Sequence, residues 1–486
     1  MLFHSHIFIF LFLPLTLAGW YLLNRYRHKK LAQGYLIGMS LWFYGYFDFS
    51  CLWIFLAECL IGYFFCVRVC RVKGDLLKKI LFFLGCLFHL GALGYFKYTN
   101  FFLENVNALF GADYPFLSIV LPVGISFYTF QQLAYLSDCF RGEYEACSFW
   151  EYLLFLAYFP QILQGPILLG KEIIPQFSQE RITRFETERF TKGIFHFVIG
   201  LSKKVLLADT LARAVDFGYE NIPLLDSPSA LFLAVGYMLE LYFDFSGYCD
   251  MAVGIGKMIG IEIPENFDAP FRSVSVRDFW RRWHITLGRF FTKYVYIPLG
   301  GSRKGKIRTI RNTLIVFLLS GLWHGASWNF VFWGLLHGIG VLASGLTDSF
   351  NRRVRQVLTF FYVCFAFVFF RAASIGEGFS VLRAVFSFRW NGFLFQIAES
   401  LDISEVYVFT KALSMKAPVL LQWAQLCMLI LLLAVCAVVL LEKKTAVMAE
   451  EMGVHAKRGQ AVLLAVLFVW SILSMTGVST FLYFTF

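Results

Sequence analysis

The class of fold is decided by one stretch of sequence, residues 318–338, which reads LLSGLWHGASWNFVFWGLLHG. Apart from His324 and His337 it has no ionisable side chain, and its length is close to the roughly 20 residues that a helix needs to cross a bilayer. Four glycines, among them Gly321 and Gly325, interrupt the apolar run. The stretch therefore predicts a membrane-embedded segment whose backbone is free to bend.

The composition of the whole chain agrees with a membrane location. Of 486 residues, 58% are hydrophobic and 15% are charged, and the mean hydropathy is +0.65. Soluble domains average about 45–50% apolar and about 25% charged residues. These values exclude an intrinsically disordered chain, a disulfide-stapled secreted fold, a coiled coil and a soluble Rossmann or TIM-barrel enzyme. We predict an all-α integral membrane protein with about 11 transmembrane helices plus re-entrant or interfacial helices.

Ten apolar runs have a length suited to crossing a bilayer. They are residues 6–23, 34–48, 51–67, 80–97, 116–136, 193–210, 229–249, 354–371, 418–441 and 462–484. Two further apolar segments, 149–168 and 312–345, are interrupted by Pro and Gly. Because a broken backbone at membrane depth is tolerated only where protein or a cavity surrounds it, we expect a functional site at these two segments.

The basic residues indicate an orientation, since cytoplasmic loops carry an excess of Lys and Arg. With the N-terminus outside, the inside loops are 24–33, 67–79, 137–192, 250–311, 346–355 and 442–460, and the outside loops are 98–115, 211–228 and 372–417. This alternation requires that 149–168 and 312–345 each enter and return on one side, or are otherwise irregular. Both termini are then extracytoplasmic, and the chain is a multi-pass protein of the cytoplasmic (inner) membrane.

The densest positive charge lies between Phe271 and Arg311, where eleven Lys and Arg residues face a single acid. Among membrane spans, such a stretch favours a cytoplasmic lipid surface or an anionic ligand, and we predict no nucleic-acid partner. A turn with Pro and Gly at 298–301 precedes several of the cations and is suited to diphosphate groups. An ordinary positive-inside loop explains the same residues equally well. The candidate anion-binding residues are Arg281, Arg282, Arg303, Lys304, Lys306 and Arg308.

Segment 277–294 contains one candidate histidine, His284. On a helical wheel its aromatic residues fall on one arc, and its Arg and Lys residues fall on the opposite arc. This pattern predicts one helix in the membrane interface, with aromatic anchors toward lipid and arginines toward phosphate. His284 lies at the edge of the apolar arc. It is either a functional residue or a structural histidine held by a backbone carbonyl.

His324 is the second candidate, and it lies in the deciding stretch beside Trp323. An ionisable residue within a span is costly and is a functional candidate by default. A neutral imidazole there can accept a proton from a hydroxyl group as a general base. From the residues alone, a buried histidine that joins two helices is an equal alternative. The flanking Gly321 and Gly325 indicate a locally open site, and His337 is a weaker candidate.

A polar island at residues 242–250 ends another span. We expect its two carboxylates to pair with arginines of 277–289, and we favour a catalytic-acid role less. The eleven cysteines lack paired ligand spacing, so we predict no metal site and no tightly bound cofactor. The candidate channel-lining or supporting residues are Trp323, Asn329, Asp244, Ser246, Tyr248 and Asp250.

In this order, the motifs resemble those of the membrane-bound O-acyltransferase family. They read LPVGISFYTFQ (121–131), FPQILQGPI (159–167), FDFSGYCDMAVGIGKMIG (243–260), PENFDAPF (264–271), FWRRWHITL (279–287), YIPLGG (296–301) and GLWHGASWNFVFWGLLHG (321–338). The likeness is to the bacterial branch that contains the alginate and peptidoglycan O-acetylation membrane subunits, and FFRA at 369–372 also fits that branch.

The resemblance implies a funnel-shaped body in which a central histidine promotes acyl transfer to a hydroxyl group. It places the family's invariant histidine at His324 and a second conserved polar position at His284. It also divides the chain into N-terminal transmembrane helices (1–114), a catalytic core (115–345) and C-terminal transmembrane helices (346–486). One departure is that many relatives carry an Arg-Asp pair where this chain has Thr292-Lys293, so any ion pair made there is in doubt.

The function expected from this resemblance is transfer of an acetyl group from a cytoplasmic thioester, most plausibly acetyl-CoA, across the membrane. The acceptor is a secreted or cell-wall glycopolymer, or an extracytoplasmic partner transferase of the SGNH or esterase-like type. One alternative within the family is D-alanyl transfer to teichoic acids. Another, from a different class, is a glycan or acyl transporter without chemistry of its own, although no internal repeat supports it.

Overall fold

The structure is a computed structural model, and it describes residues 1–26, 28–46, 48–179, 182, 184–441, 445–455 and 458–475. Within these ranges the chain is helical and contains no β-strand. It forms two compact units. The first comprises Met1–Phe197, Met251–Glu265 and Thr286–Pro298, and the second comprises Val198–Asp250, Asn266–Ile285 and Leu299–Phe486.

The first eleven α-helices lie between the N-terminus and Ile259. They are α1 (Leu13–Arg25), α2 (Lys29–Gly45), α3 (Phe49–Arg71), α4 (Asp75–Leu93), α5 (Thr99–Phe110), α6 (Ile125–Arg141), α7 (Phe149–Ala157), α8 (Gly170–Ile173), α9 (Thr187–Ser202), α10 (Asp209–Glu220) and α11 (Ser227–Ile259). Short π-helical turns extend several of them, including Lys203–Ala208 between α9 and α10.

The remaining eleven α-helices begin at the basic segment. They are α12 (Val276–Arg282), α13 (Ile285–Phe291), α14 (Lys306–His324), α15 (Trp328–Leu342), α16 (Arg352–Arg371), α17 (Ile375–Val385), α18 (Phe393–Glu399), α19 (Tyr407–Lys416), α20 (Pro418–Leu441), α21 (Thr445–His455) and α22 (Arg458–Ser474).

Several of these helices confirm a membrane protein. Within the described part of the chain, six helices are long and apolar enough to cross a bilayer, and Arg458–Ser474 is a shorter apolar helix. The six are Phe8–Arg25, Phe49–Arg71, Asp75–Phe110, Ser227–Ile259, Arg352–Arg371 and Pro418–Leu440. The count of about 11 spans stays a prediction. The predicted span 462–484 extends beyond α22 into residues 476–486, which lie outside the described residues.

The predicted span 116–136 is wrong in its first half. Residues 112–124 are not helical, and α6 begins only at Ile125. Gly124 has φ +77°, and a Cβ there would collide with the backbone carbonyl oxygen of Ile162. Only glycine tolerates both the left-handed backbone and this close approach, so the helix starts after it.

The first interrupted segment, 149–168, is irregular as predicted. A capping box between Ser148 and Glu151 starts α7, which ends after nine residues at Ala157. Residues 158–169 then run without regular helix and are buried throughout. The broken backbone therefore lies within protein, as membrane depth requires.

The second interrupted segment, 312–345, forms a helical hairpin made of α14 and α15. A Cβ at Gly321 would run into the carbonyl oxygen of Phe330, and one at Gly334 would run into that of Phe317. Small residues at facing positions let two helices approach closely in a membrane. The glycines from which we predicted a flexible backbone therefore allow the two helices of the hairpin to pack closely.

The prediction of one helix over 277–294 is wrong. The segment breaks at Trp283 and His284 into α12 and α13. The break is stabilised by a neighbouring loop, because the Ile285 N–H donates to the Asn266 carbonyl (3.0 Å) and the Asp268 N–H donates to the Arg282 carbonyl (2.9 Å). Trp283 is buried in the core of the second unit, so it does not serve as a lipid anchor.

Candidate functional site

His324 is the last residue of α14, at the tip of the hairpin. Its ring meets three aromatic rings: Trp323 at 4.8 Å, Trp333 at 5.2 Å and Phe370 at 5.1 Å between centroids. Each contact is near edge-to-face, and the side chain is only 5% exposed. The imidazole is therefore buried and in contact with aromatic rings on several sides.

The expectation of a locally open backbone around His324 is wrong. Gly321 faces the Phe330 carbonyl, and a Cβ at Gly325 would meet the ring of Phe330. Both glycines are present because the α15 backbone and Phe330 lie too close for a side chain. The surroundings of His324 are thus tightly packed.

Asn329 holds the hairpin tip to the end of α16. Its Nδ2 donates to the carbonyls of Phe369 (3.2 Å) and Ala372 (2.8 Å). These two carbonyls flank Phe370, which packs on His324. Asn329 therefore positions one wall of the histidine's surroundings.

His284 lies at the break between α12 and α13 and is fully buried. Its φ is +46°, a left-handed conformation that is uncommon for a residue other than glycine and often marks a functional site. Its Nδ1 lies 3.2 Å from Asn266 Oδ1. Because an amide oxygen only accepts, this contact places the ring proton on Nδ1.

The opposite nitrogen of His284 is available for chemistry. Nε2 has no hydrogen-bond partner among the described residues, and the ring packs edge-on against Phe245 at 4.8 Å. Burial lowers the pKa of His284 to about 3, so the ring is neutral at physiological pH. Nε2 therefore presents a lone pair that can accept a hydrogen bond.

Trp323 connects the two histidines. Its indole is in ring contact with His324 (4.8 Å) and with His284 (6.2 Å). All three side chains are buried in the second unit. The structure thus brings together, around one tryptophan, the two histidines that the sequence singled out.

The polar island pairs with lysines, and the expected pairing with arginines of 277–289 is wrong for its two carboxylates. Lys204 contacts Asp244 at 2.6 Å and Asp209 at 2.8 Å. Lys203 contacts Asp250 at 2.6 Å. The π-helical turn at 203–208 presents both lysines to α11, and their ammonium groups offset the cost of burying the acids.

Two other candidate residues of the island also lie on α11. Ser246 and Tyr248 are buried on this helix. The two acids of the island, Asp244 and Asp250, form ion pairs with Lys204 and Lys203. These pairs favour a structural role for the acids over a role as catalytic acid.

The predicted anion-binding residues fall into two groups. Arg282 is engaged by acids, with Nε 3.0 Å from Asp278 and Nη1 3.7 Å from Asp268. The other five are exposed and make no ion pair with any residue in the described ranges. They are Arg281, Arg303, Lys304, Lys306 and Arg308. The last four stand together before and at the start of α14, so they can meet an anion without first breaking an ion pair.

An ion pair does form at the departure Thr292-Lys293. Lys293 in the first unit contacts Asp138 at 2.6 Å and Glu143 at 2.7 Å. Burial disfavours its charge, but these two hydrogen bonds outweigh burial and raise the pKa of Lys293. The two acids come from α6 and from the loop that follows it. An ion pair therefore does form at this position, and Lys293 is its cation.

Sequence reasoning missed three kinds of supporting residue. Asn266 was quoted only as part of PENFDAPF, yet it positions His284. Trp333 and Phe370 surround His324 from later helices, and Lys204 neutralises Asp244. Pairwise contacts between distant positions leave no periodic signal in one sequence, so only the quoted motifs could have pointed to them.

Several known proteins are similar to this chain in sequence. Residues 36–379 match the sequence profile of the membrane-bound O-acyltransferase family. A peptidoglycan O-acetyltransferase of Helicobacter pylori is 36% identical over 419 residues, which cover 79% of this chain and 80% of that protein. A probable alginate O-acetylase AlgI of Azotobacter vinelandii is 38% identical over 404 residues, which cover 80% of this chain and 78% of that protein.

A third relative is more distant. A teichoic acid D-alanyltransferase of Bacillus subtilis is 28% identical over 292 residues, which cover 53% of this chain and 73% of that protein. Identity and coverage both fall for this relative, so the chain is more similar to the O-acetylating proteins than to the D-alanylating one.

The contact between Asn266 and His284 generates a test. Asn266→Ala should lower acyl-transfer turnover at least fivefold, since about 1 kcal/mol of hydrogen bonding is lost and the ring is free to rotate. Asn266→Asp, whose carboxylate also accepts from Nδ1, should recover most of the activity. Asn100→Ala, which removes an amide bonded to the Leu117 carbonyl in the first unit, is the matched control and should leave turnover unchanged. Unchanged turnover in Asn266→Ala would remove Asn266 from the site.

Proposed function

Because this chain belongs to the membrane-bound O-acyltransferase family, we propose that it transfers acetyl from a cytoplasmic thioester, acetyl-CoA, to hydroxyl groups of a secreted or cell-wall polysaccharide. The chain is a multi-pass membrane protein and an O-acyltransferase. The observation that carries the proposal is the placement of His324 at the buried tip of the hairpin, among three aromatic rings and beside Trp323.

In the proposed reaction His324 acts as a general base. It removes the proton from the acceptor hydroxyl as the oxygen attacks the thioester carbonyl carbon. The carbon–sulfur bond then breaks, and the thiolate of CoA takes up the proton from the imidazolium. The products are an O-acetyl ester and a free thiol.

His284 fits a positioning role in this reaction. Its proton is held by Asn266, so Nε2 accepts a hydrogen bond and has no proton to give to a leaving thiolate. We therefore assign it to orienting a donor N–H or O–H group of the substrates. A role in orienting the thioester therefore fits His284 better than a role in assisting the leaving thiolate.

The donor is proposed to approach along α14. The exposed cations Arg303, Lys304, Lys306 and Arg308 stand at its beginning, and His324 is its last residue. At 1.5 Å per residue, Arg308 and His324 are separated by about 24 Å. A nucleotide joined to its thioester by a long thin arm suits this separation, since phosphates can rest among the cations while the carbonyl reaches His324. Acetyl-CoA has this form.

The names of two relatives indicate a class of acceptor. The two O-acetylating relatives are named for alginate and peptidoglycan, so we propose a glycan acceptor of that general class. An extracytoplasmic SGNH-type or esterase-like transferase is the proposed partner for the last transfer. D-alanyl transfer remains the second candidate, since a carrier-bound phosphopantetheine thioester would suit the same separation along α14 and one relative carries that name.

The proposed location is the cytoplasmic membrane, with both termini outside and loops 24–33, 67–79 and 271–311 inside. The C-terminus itself lies outside the described residues. In this orientation the cations of 303–308 face the compartment that contains acetyl-CoA.

The orientation can be tested with single cysteines in a cysteine-free background. Lys304→Cys should react with an impermeant thiol reagent only after the membrane is permeabilised, because the basic loop is retained inside. Asp113→Cys, at an exposed and non-helical position of loop 98–115, is the control and should react in intact cells. Labelling of Lys304→Cys in intact cells would overturn the orientation.

The donor can be tested by reversing charge at Arg303, Lys304, Lys306 and Arg308 together. Use of acetyl-CoA should weaken at least tenfold, because charge-assisted contacts to phosphate are lost. Use of a minimal acetyl thioester without the nucleotide should stay near wild type. An equal loss with both donors would mean that the cations serve topology only.

The base can be tested by substituting His324. His324→Ala should reduce transfer of labelled acetyl from acetyl-CoA into a hydroxylamine-labile product by roughly 10²–10⁴-fold, the usual contribution of a general base. His324→Gln should be nearly as inactive, because an amide cannot take up a proton. Both variants should insert and remain monodisperse. His89→Gln, at a buried histidine of the first unit, is the matched control. Near-normal acetylation by His324→Gln would mean that His324 only joins helices.

A further inference from the structure

The end of α16 carries a polar cluster that the chemistry described so far does not use. Arg371, the last residue of this helix, belongs to the FFRA stretch. Its Nη2 donates to Asp216 Oδ1 at 2.6 Å. Its guanidinium also lies over the ring of Tyr219, with Cζ 5.0 Å from the centroid. Helices α10 and α16 together therefore fix the orientation of the guanidinium.

Most of the hydrogen-bonding capacity of Arg371 is unused. A guanidinium has five N–H donors in a planar fork, and only the bond to Asp216 is made with the described residues. The side chain of Arg371 is 29% exposed and that of Asp216 is 49% exposed. A ligand can therefore reach this pair, in contrast to the deeply buried histidines.

Beneath the pair, two further side chains offer polar atoms. Glu240 on α11 is 1% exposed, and its Oε2 has no hydrogen-bond partner among the described residues. It interacts electrostatically with Arg371 and Asp216. The Tyr219 hydroxyl is likewise buried without a partner in the described ranges. Leaving such groups unsatisfied is costly, so a cluster of them indicates a place where a ligand binds.

The cluster is physically connected to the catalytic histidine. Phe370, the neighbour of Arg371, packs on the His324 ring at 5.1 Å. Asn329 holds the carbonyls on both sides of these two residues, at Phe369 and Ala372. A ligand held by Arg371 is therefore placed relative to His324 by a rigid element.

We propose that Arg371, with Asp216, Tyr219 and Glu240, is the subsite that anchors the acceptor glycan through hydroxyl groups of its sugar rings. The cluster combines the N–H donors of Arg371, the Asp216 carboxylate as an acceptor and an aromatic ring, which suits neighbouring hydroxyls that both donate and accept. Asp216 balances the charge of Arg371, so the pair binds a ligand through hydrogen bonds and not through net charge. The inference rests on the proposed function, in whose orientation the end of α16 faces outward.

The test uses the purified full chain in detergent and measures thiol release from acetyl-CoA, with and without an oligosaccharide. An alginate oligosaccharide and a disaccharide muropeptide are the two probes. We expect at least one probe to accelerate thiol release by the wild-type protein. In Arg371→Gln, the probe concentration needed for half-maximal acceleration should rise roughly tenfold to hundredfold, as expected for lost charge-assisted hydrogen bonds. Thiol release without a probe should stay within about twofold of wild type, since hydrolysis needs no acceptor anchor.

Two further variants separate binding from folding. Arg371→Lys keeps the charge but loses the planar fork, so its requirement for the probe should lie between those of wild type and Arg371→Gln. Arg383→Gln, at an exposed arginine of the neighbouring α17, is the matched control and should behave as wild type. Monodispersity in gel filtration verifies that each variant is folded.

Three results would overturn the inference, and they can be told apart. If Arg371→Gln lowers thiol release equally with and without the probe, Arg371 has a structural role. If neither probe accelerates the wild-type protein while thiol release from acetyl-CoA persists, the acceptor subsite is wrong and the donor chemistry stands. If the wild-type protein releases no thiol at all, the proposed function fails and the inference falls with it.

Discussion

Every break in a helix of this protein must satisfy its own backbone, because the bilayer offers no hydrogen-bond partners. Three buried asparagine side chains meet this constraint or support the groups next to it. Asn329 binds the last carbonyls around the end of α16, and Asn312 binds the carbonyls of Leu299 and Gly301 in the turn before α14. Asn266 pairs with the break at His284 through its backbone carbonyl and its side chain. Both candidate histidines lie at helix ends of this kind, His324 at the end of α14 and His284 between α12 and α13.

The same constraint explains how the two histidines differ. His324 ends a helix and its ring packs among three aromatic rings. His284 occupies a left-handed conformation, and its tautomer is set by Asn266. One histidine is thus suited to moving a proton and the other to accepting a fixed hydrogen bond. Trp323 contacts both histidines, so we expect a substitution at one histidine to alter the packing around the other.

Charge is distributed in a similar way within the second unit. Buried acids on α11 are matched by Lys203 and Lys204, which are presented by a π-helical turn. The cations before and at the start of α14 are exposed and have no acidic partners in the described ranges. Paired charges therefore stabilise the interior, whereas unpaired ones are available to a ligand. The sequence analysis expected the acids of 242–250 to pair with arginines of 277–289, because one sequence does not show which ion pairs form.

The sequence by itself determined the membrane class, the irregular segment 149–168, the hairpin at 312–345 and the two histidines. These follow from composition, from the length of apolar runs and from local motifs, all of which are properties of neighbouring residues. Only the tertiary structure decided that α12 ends before His284, that Asp244 meets Lys204, and that Arg371 lies over Tyr219. Each of these depends on contacts between residues far apart in the chain. Helical periodicity describes one helix at a time and is blind to what that helix packs against.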